Sequence, residues 1–428
     1  MNIKVFNQKY GRHTLIIAVI LIWAYIIWSF FVNGYIETWY QWHIPAEMPP
    51  FIDFRLIPSG AETFRSGIDP AVLNPSNPRG NLFNYPKIWY LLFYTGITQD
   101  DTIWMSVVLI ILFFLTVFSF PGKLYATDAF FMLLVVFSPA AMLLYERGNV
   151  DLAIFILCGL AVIFVRRSPA WAVAVLSLAS MLKLFPFFGI GIFLQENKNK
   201  FYKYFFISVL IFGVYIALNF QSLAAAWDLT ARGTYISYGD YIIFDLFHGY
   251  FRYYLLKVMA EDQVTVFMKI LPHLCAIALL IPIFFLGTRP ENLLGTDSER
   301  NLTAFRMGAC IYVGTFLLGN NWDYRLAFLI FTVPQISRWM FSAEPRQRRL
   351  VTGVFIALLI SCWYAVIRKY YLGITDGEYE LQFSVFDEAA NWILYGGLAY
   401  LLAASAPPWF RSFSWIPSWQ EVWAERSI

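Results

Sequence analysis

The chain is expected to be an all-α polytopic integral membrane protein that crosses the bilayer about twelve times. Three observations carry this. First, 59% of the 428 residues are apolar, 20% are aromatic and only 14% are charged. Second, the mean hydropathy of +0.58 is far above that of a water-soluble domain. Third, apolar runs long enough for a helical crossing recur from residue 15 to near residue 404. About 20 helical residues cover the hydrocarbon. The whole chain, 1–428, then reads as one membrane domain.

Taken in order, the run 15–32 is too long for a secretory signal and lacks its small-residue cleavage pattern, so it is expected to be a retained first helix. Lys4, Lys9 and Arg12 precede it, and basic flanks stay cytoplasmic, which places the N-terminus inside. A long outer loop, 35–102, follows, punctuated by Pro49, Pro50, Pro58, Pro70, Pro75, Pro78 and Pro86. Within it, 88–95 is aromatic and apolar but too short to span, as suits an interfacial helix on the outer leaflet.

Arg166 and Arg167 on one side, and Lys198, Lys200 and Lys203 on the other, put both ends of 170–194 inside. That stretch must enter the membrane and return. Each arm has about a dozen residues, roughly 18 Å of helix, and the turn holds Lys183 and Pro186. A broken, re-entrant hairpin with a lysine at its tip is therefore expected. A second outer loop is expected over 221–263. Further on, Arg346, Arg348 and Arg349 mark an inner loop and Asp376, Glu378 and Glu380 an outer one; Arg368 and Lys369 break the rule. Arg147, Arg325 and the Lys183 turn all come out on the outer side, and charges inside or at the edge of apolar helices are costly and usually functional.

Other signatures are absent. Cys158, Cys275, Cys310 and Cys362 show no paired spacing and read as small hydrophobes. His13, His43, His248 and His273 match no metal-ligand spacing, so no metal is expected. Asn301-Leu302-Thr303 fits a glycosylation sequon but falls in an inner loop. No phosphate-cradling glycine loop or dinucleotide fingerprint occurs, which argues against a soluble nucleotide donor or an ATP-driven pump. The net charge of +3 carries no nucleic-acid signal, and no such partner is expected.

The order of features resembles a known family. It comprises a first helix, a large outer loop with an early acid (Asp53), the element Asn84-Tyr85-Pro86-Lys87 before an apolar helix, a span opening at Arg147-Gly148-Asn149, and the Lys-Leu-Phe-Pro turn at 183–186. It is similar to the polytopic glycosyltransferase C superfamily, in particular the polyprenyl-phosphate-mannose-dependent mannosyltransferases of glycosyltransferase family 87. The likeness covers roughly residues 10–340 in motifs of three or four residues. It implies inverting transfer of a sugar, such as mannose or another hexose, from a polyprenyl-phosphate carrier to a glycolipid or cell-surface glycan on the outer side of the membrane; the positive-inside pattern itself fits a bacterial inner membrane. The catalytic base the resemblance implies is Asp53. The chain departs from the family at Lys87, where a second proline is common.

The residues support that chemistry independently. Displacement at a sugar carbon needs a carboxylate to take the acceptor proton and cations to stabilise the departing phosphate. Asp53, Glu62 and Asp69 of the first loop could each supply the first, and the resemblance picks Asp53; Arg147, Lys183 and Arg325 could supply the second. Tyr85, Lys87, Asn149, Asp151 and Asp323 are further substrate-contact candidates; Asn149 and Asp151 suit a helix cap equally well. Arg147 could instead pair with Glu146, and Arg325 with Asp323. The second loop carries Trp227, Asp228, Arg232, Tyr235, Tyr238, Asp240, Asp245 and His248, a mixture that suits sugar binding or an interfacial belt. Arg232 is placed to close over a donor phosphate. No cofactor is needed beyond the lipid-linked donor. The alternatives are a flippase for a lipid-linked sugar, although no repeated broken helix marks two halves, and a polymerase or ligase of lipid-linked glycans.

Overall fold

The computed structural model describes residues 3–233, 236–375 and 380–412. It is mostly helical, with only two two-residue strands among the described residues. The first part runs α1 (Ile3–Asn33), α2 (Tyr35–Gln41), α3 (Leu56–Arg65), α4 (Thr102–Ser119), α5 (Ala126–Val136), α6 (Pro139–Arg147), α7 (Asp151–Phe164) and α8 (Pro169–Leu182). The second runs α9 (Lys198–Leu229), α10 (Ile242–Leu246), α11 (His248–Leu255), α12 (Glu261–Gly287), α13 (Glu299–Phe316), α14 (Val333–Ser342), α15 (Pro345–Thr375) and α16 (Glu380–Ala404). Three long 3₁₀ helices, Lys87–Thr95, Phe185–Gln195 and Asp323–Phe331, and two short ones, Gln99–Asp101 and Pro290–Asn292, interrupt the α-helical order.

Among the described residues, five helices are long and apolar enough to cross a membrane, or six if α5 and α6, bent by 58°, form one span. Three shorter apolar helices, Asp151–Phe164, Pro169–Leu182 and Phe185–Gln195, add to these. The expected number of about twelve treated every apolar run alike. The environments differ greatly: only 11% of the apolar stretch of α9 and 17% of that of α12 is buried, whereas α13 is enclosed almost all round. Exposed Leu210, Leu218, Ile277 and Ile281 would form a large apolar patch in water and suit hydrocarbon instead.

Local chemistry sets the breaks. Ser138 caps α6, its hydroxyl accepting from the Ala141 amide at 3.3 Å, and Pro139 follows where its missing N–H is no loss. At the end of α8, Lys183 is extended (φ −156°), and the 3₁₀ helix from Phe185 packs back against α8. The hairpin expected over 170–194 is thus present, with Lys183 at its turn. The short helix expected at 88–95 is the 3₁₀ helix Lys87–Thr95, with Trp89 and Phe93 buried and Leu91 and Tyr94 exposed.

Two expectations need correction. The second loop does not begin at 221, because α9 continues to Leu229; Ala224, Ala225 and Ala226 are strong helix formers and carry it on. Asn301 is not in a loop. It is buried in α13, where its side chain donates to the Lys123 carbonyl and accepts from the Gly122 amide, both at 2.7 Å. Cys158 and Cys362 are buried as expected, while Cys275 and Cys310 are partly open. The acidic segment with Asp376 and Glu378 lies outside the described residues.

The two long connecting segments are pinned to the rest of the structure at two places. The Trp89 indole donates to the Leu182 carbonyl at 2.9 Å, fixing the first loop to the hairpin. Strands β1 (Ser237–Tyr238) and β2 (Asn321–Trp322) pair antiparallel, Tyr238 opposite Asn321, and join the second loop to the segment that carries Arg325.

Candidate functional site

The site forms where the loop 42–101 meets the end of α6, the start of α7 and the end of α8. The amides of Asp53 and Phe54 donate to the Arg147 carbonyl at 3.2 and 3.4 Å, occupying an acceptor that the end of α6 leaves open. Gly148 then turns the chain in the left-handed region at φ 57°. A β-carbon there would stand 2.9 Å from both Phe51 Cβ and Ser106 Oγ, so the loop and helix close only on glycine. Gly148→Ala is expected to cost about 1–3 kcal/mol, read as a lower thermal midpoint of the detergent-solubilised protein. An unchanged midpoint would show that the loop yields.

That turn delivers Asn149. Its side-chain amide donates to Asp53 Oδ2 at 2.7 Å, while its oxygen accepts from the Asp151 amide at 3.0 Å. Asn149 thus meets the amide at the start of α7, as the cap reading expects, and its other end holds Asp53, a contact the sequence did not indicate. Asp53 keeps a partly exposed face. Burial, the largest influence, raises its pKa above the ordinary carboxylate range. Arg147, the Asn149 bond and Lys183 oppose that rise, and Asp151 adds to it.

Asp151, wholly buried in the first turn of α7, holds two cations. Lys183 Nζ lies 2.5 Å from Oδ1 and Arg325 Nε 3.3 Å from Oδ2. Arg325 also donates through Nη1 to Asn321 Oδ1. Its guanidinium lies 4.8 Å from the Phe185 ring centroid, and Lys183 Nζ lies 5.7 and 5.8 Å from those of Tyr85 and Tyr324. Two cations therefore share one contacting carboxylate within an aromatic wall, and each keeps about 14% of its side chain open. Burial pushes the Tyr85 phenol well above its ordinary range, so it stays a hydrogen-bond donor.

Arg147 is tied elsewhere. It pairs with Glu47, lies 3.2 Å from Glu146 Oε2 and donates to the Pro45 carbonyl at 3.0 Å; Arg79 also pairs with Glu47. Arg147 thus clamps the loop and reaches Asp53 through its field. Arg325 turns to Asp151, not to Asp323, which is buried and faces Asp387 and Glu388. Lys87 is exposed at the start of its 3₁₀ helix and is not gathered into the cluster. Arg232 is exposed, stacks over Trp227 at 5.4 Å, and its charge acts on Tyr241 and Asp245. Tyr235 lies outside the described residues.

Of the residues expected to act, Asp53, Tyr85, Asn149, Asp151, Lys183 and Arg325 are therefore brought together, with Arg147 adjoining. Tyr324 and Asn321 join them without having been singled out. Their only signal was the polar run Asn320-Asn321-Trp322-Asp323-Tyr324-Arg325 at the end of an apolar segment. No family model, curated protein or solved structure matches the chain.

Proposed function

We propose that the protein is an inverting glycosyltransferase of the glycosyltransferase C type, with more crossings than its six longest apolar segments. It moves a hexose such as mannose from a polyprenyl-phosphate carrier to a glycolipid or surface glycan at the outer face of a bacterial inner membrane. One observation carries the reading: an Asn149-held, partly open carboxylate, Asp53, beside a lysine and an arginine that share a single buried aspartate.

In this reading Asp53 takes the proton of the acceptor hydroxyl as that oxygen attacks the anomeric carbon. The bond from that carbon to the phosphate oxygen breaks, and the electron pair leaves with the lipid phosphate. Lys183 and Arg325 stabilise the charge that develops there, the arginine with planar N–H donors and the lysine with a point charge. Asp151 holds both cations without engaging all their donors. The aromatic rings of Tyr85, Tyr324 and Phe185 exclude water and offer faces for a sugar. The polyprenyl tail lies against the exposed apolar helices, with its phosphate at their ends.

The pH profile of transfer tests the role of Asp53. A base acts only when deprotonated, so activity falls as pH drops through its pKa. With that pKa raised, the acid limb should lie above the ordinary range of aspartate, near pH 4. Asn149→Ala removes an interaction that lowers the pKa, so the limb should move further toward neutral pH while transfer at alkaline pH is better preserved. An acid limb unmoved by Asn149→Ala would remove Asp53 from the proton-transfer step.

A further inference from the structure

At the end of the bundle away from Asp53, four arginines gather around the turn between α4 and α5, in residues 120–125. Gly11 of α1 presses on this turn so closely that a β-carbon would lie 2.3 Å from the Leu124 carbonyl oxygen. Arg12, next in sequence, donates through Nη2 to the Pro121 carbonyl at 2.9 Å. From the other side, Gly122 meets Ser298 and Arg300 at the start of α13, and Arg300 donates through Nη2 to the Ser119 carbonyl at 2.8 Å. Arg166 and Arg167 follow the end of α7, which runs beside α4, with Gly159 against Thr116.

Arg300 lies within electrostatic reach of the other three, since burial first and then Arg12, Arg167 and Arg166 weaken its hold on its proton. Acids do not offset them. No ion pair to any of the four is found among the described residues; Asp128 is taken by Arg338 and Ser337, and Glu299 acts on Arg306. Arg300 Nε is buried without a hydrogen-bond partner, and the side chains of Arg12, Arg166 and Arg167 are exposed. One or two turns into the bundle, Ile17 and Ile20 of α1 and Leu112 and Leu115 of α4 are exposed and apolar. An amphiphile with its anionic head on the arginines would have its chains beside these residues.

We propose that Arg12, Arg166, Arg167 and Arg300 form a site for an anionic phospholipid whose headgroup carries two phosphates. Two phosphates match four guanidinium groups better than one, and basic pockets at helix ends recognise such headgroups. The exposed apolar side chains favour a lipid over a soluble diphosphate. The site lies at the opposite end from Asp53, so the proposal stands independently of the transferase reading.

The test is native mass spectrometry of the detergent-solubilised full chain with cardiolipin, phosphatidylglycerol or phosphatidylcholine added. Cardiolipin should bind most tightly. Its apparent Kd should rise about a hundredfold in Arg12→Gln/Arg166→Gln/Arg167→Gln, at about fivefold for each basic group lost. The variant Arg346→Gln/Arg348→Gln/Arg349→Gln loses the same charge elsewhere and should bind as the wild type does. If the first triple variant fails to fold, the exposed pair Arg166→Gln/Arg167→Gln should still weaken binding about twenty-five-fold. Equal loss in both triple variants, no preference for cardiolipin, or displacement of cardiolipin by an equal concentration of pyrophosphate would overturn the proposal.

Discussion

Asp53→Asn should abolish sugar transfer, lowering kcat by about 10²–10⁴-fold, without unfolding the protein. The two effects separate because of the raised pKa of Asp53. Folding disfavours its ionised form, so the favourable contribution of the protonated carboxyl is full below its unfolded pKa and is lost as pH rises through the raised folded pKa. An isosteric amide avoids this loss and can still meet Asn149. The thermal midpoint at neutral pH should therefore be unchanged or higher while transfer is lost. Loss of both would mark Asp53 as a structural group of the loop; full transfer would remove it as base.

The second large effect is expected at Asp151. Asp151→Asn removes the only carboxylate among the described residues in contact with Lys183 and Arg325, leaving two largely buried cations without that counter-charge. Breaking such a pair costs about 3–5 kcal/mol. The empty protein should unfold at a markedly lower temperature. A polyprenyl phosphate, if it binds at these cations, should restore part of the loss and raise the midpoint more in the variant than in the wild type. A variant as stable as the wild type would show that solvent screens both cations. A destabilised variant with the wild-type ligand shift would place the phosphate elsewhere.

Local features were the most legible in the sequence. The basic clusters around 170–194 imposed a hairpin with Lys183 at its turn, because charge distribution and span length together leave little freedom. The shortness of the aromatic, apolar run 88–95 likewise set it apart from the longer apolar helices. Pairings across long separations were not legible. Arg325 and Asp151 stand 174 positions apart, and the nearer Asp323 was an equally good partner until packing turned it toward α16. The enclosure of α13 was hidden for a related reason, since an apolar run reads the same whether protein or lipid surrounds it. The cation cluster was foreseeable as a set of costly charges; which carboxylate joined it was a tertiary fact.

The most direct measurement is transfer of radiolabelled sugar by the purified protein in vesicles, offered polyprenyl-phosphate sugars or nucleotide sugars as donors, with the anomeric configuration of the product determined. The expected result is transfer from a polyprenyl-phosphate donor with inversion and none from nucleotide sugars. Transfer from a nucleotide sugar alone, retention of configuration, or movement of the intact lipid-linked sugar across the bilayer without cleavage of its phosphate bond would contradict it.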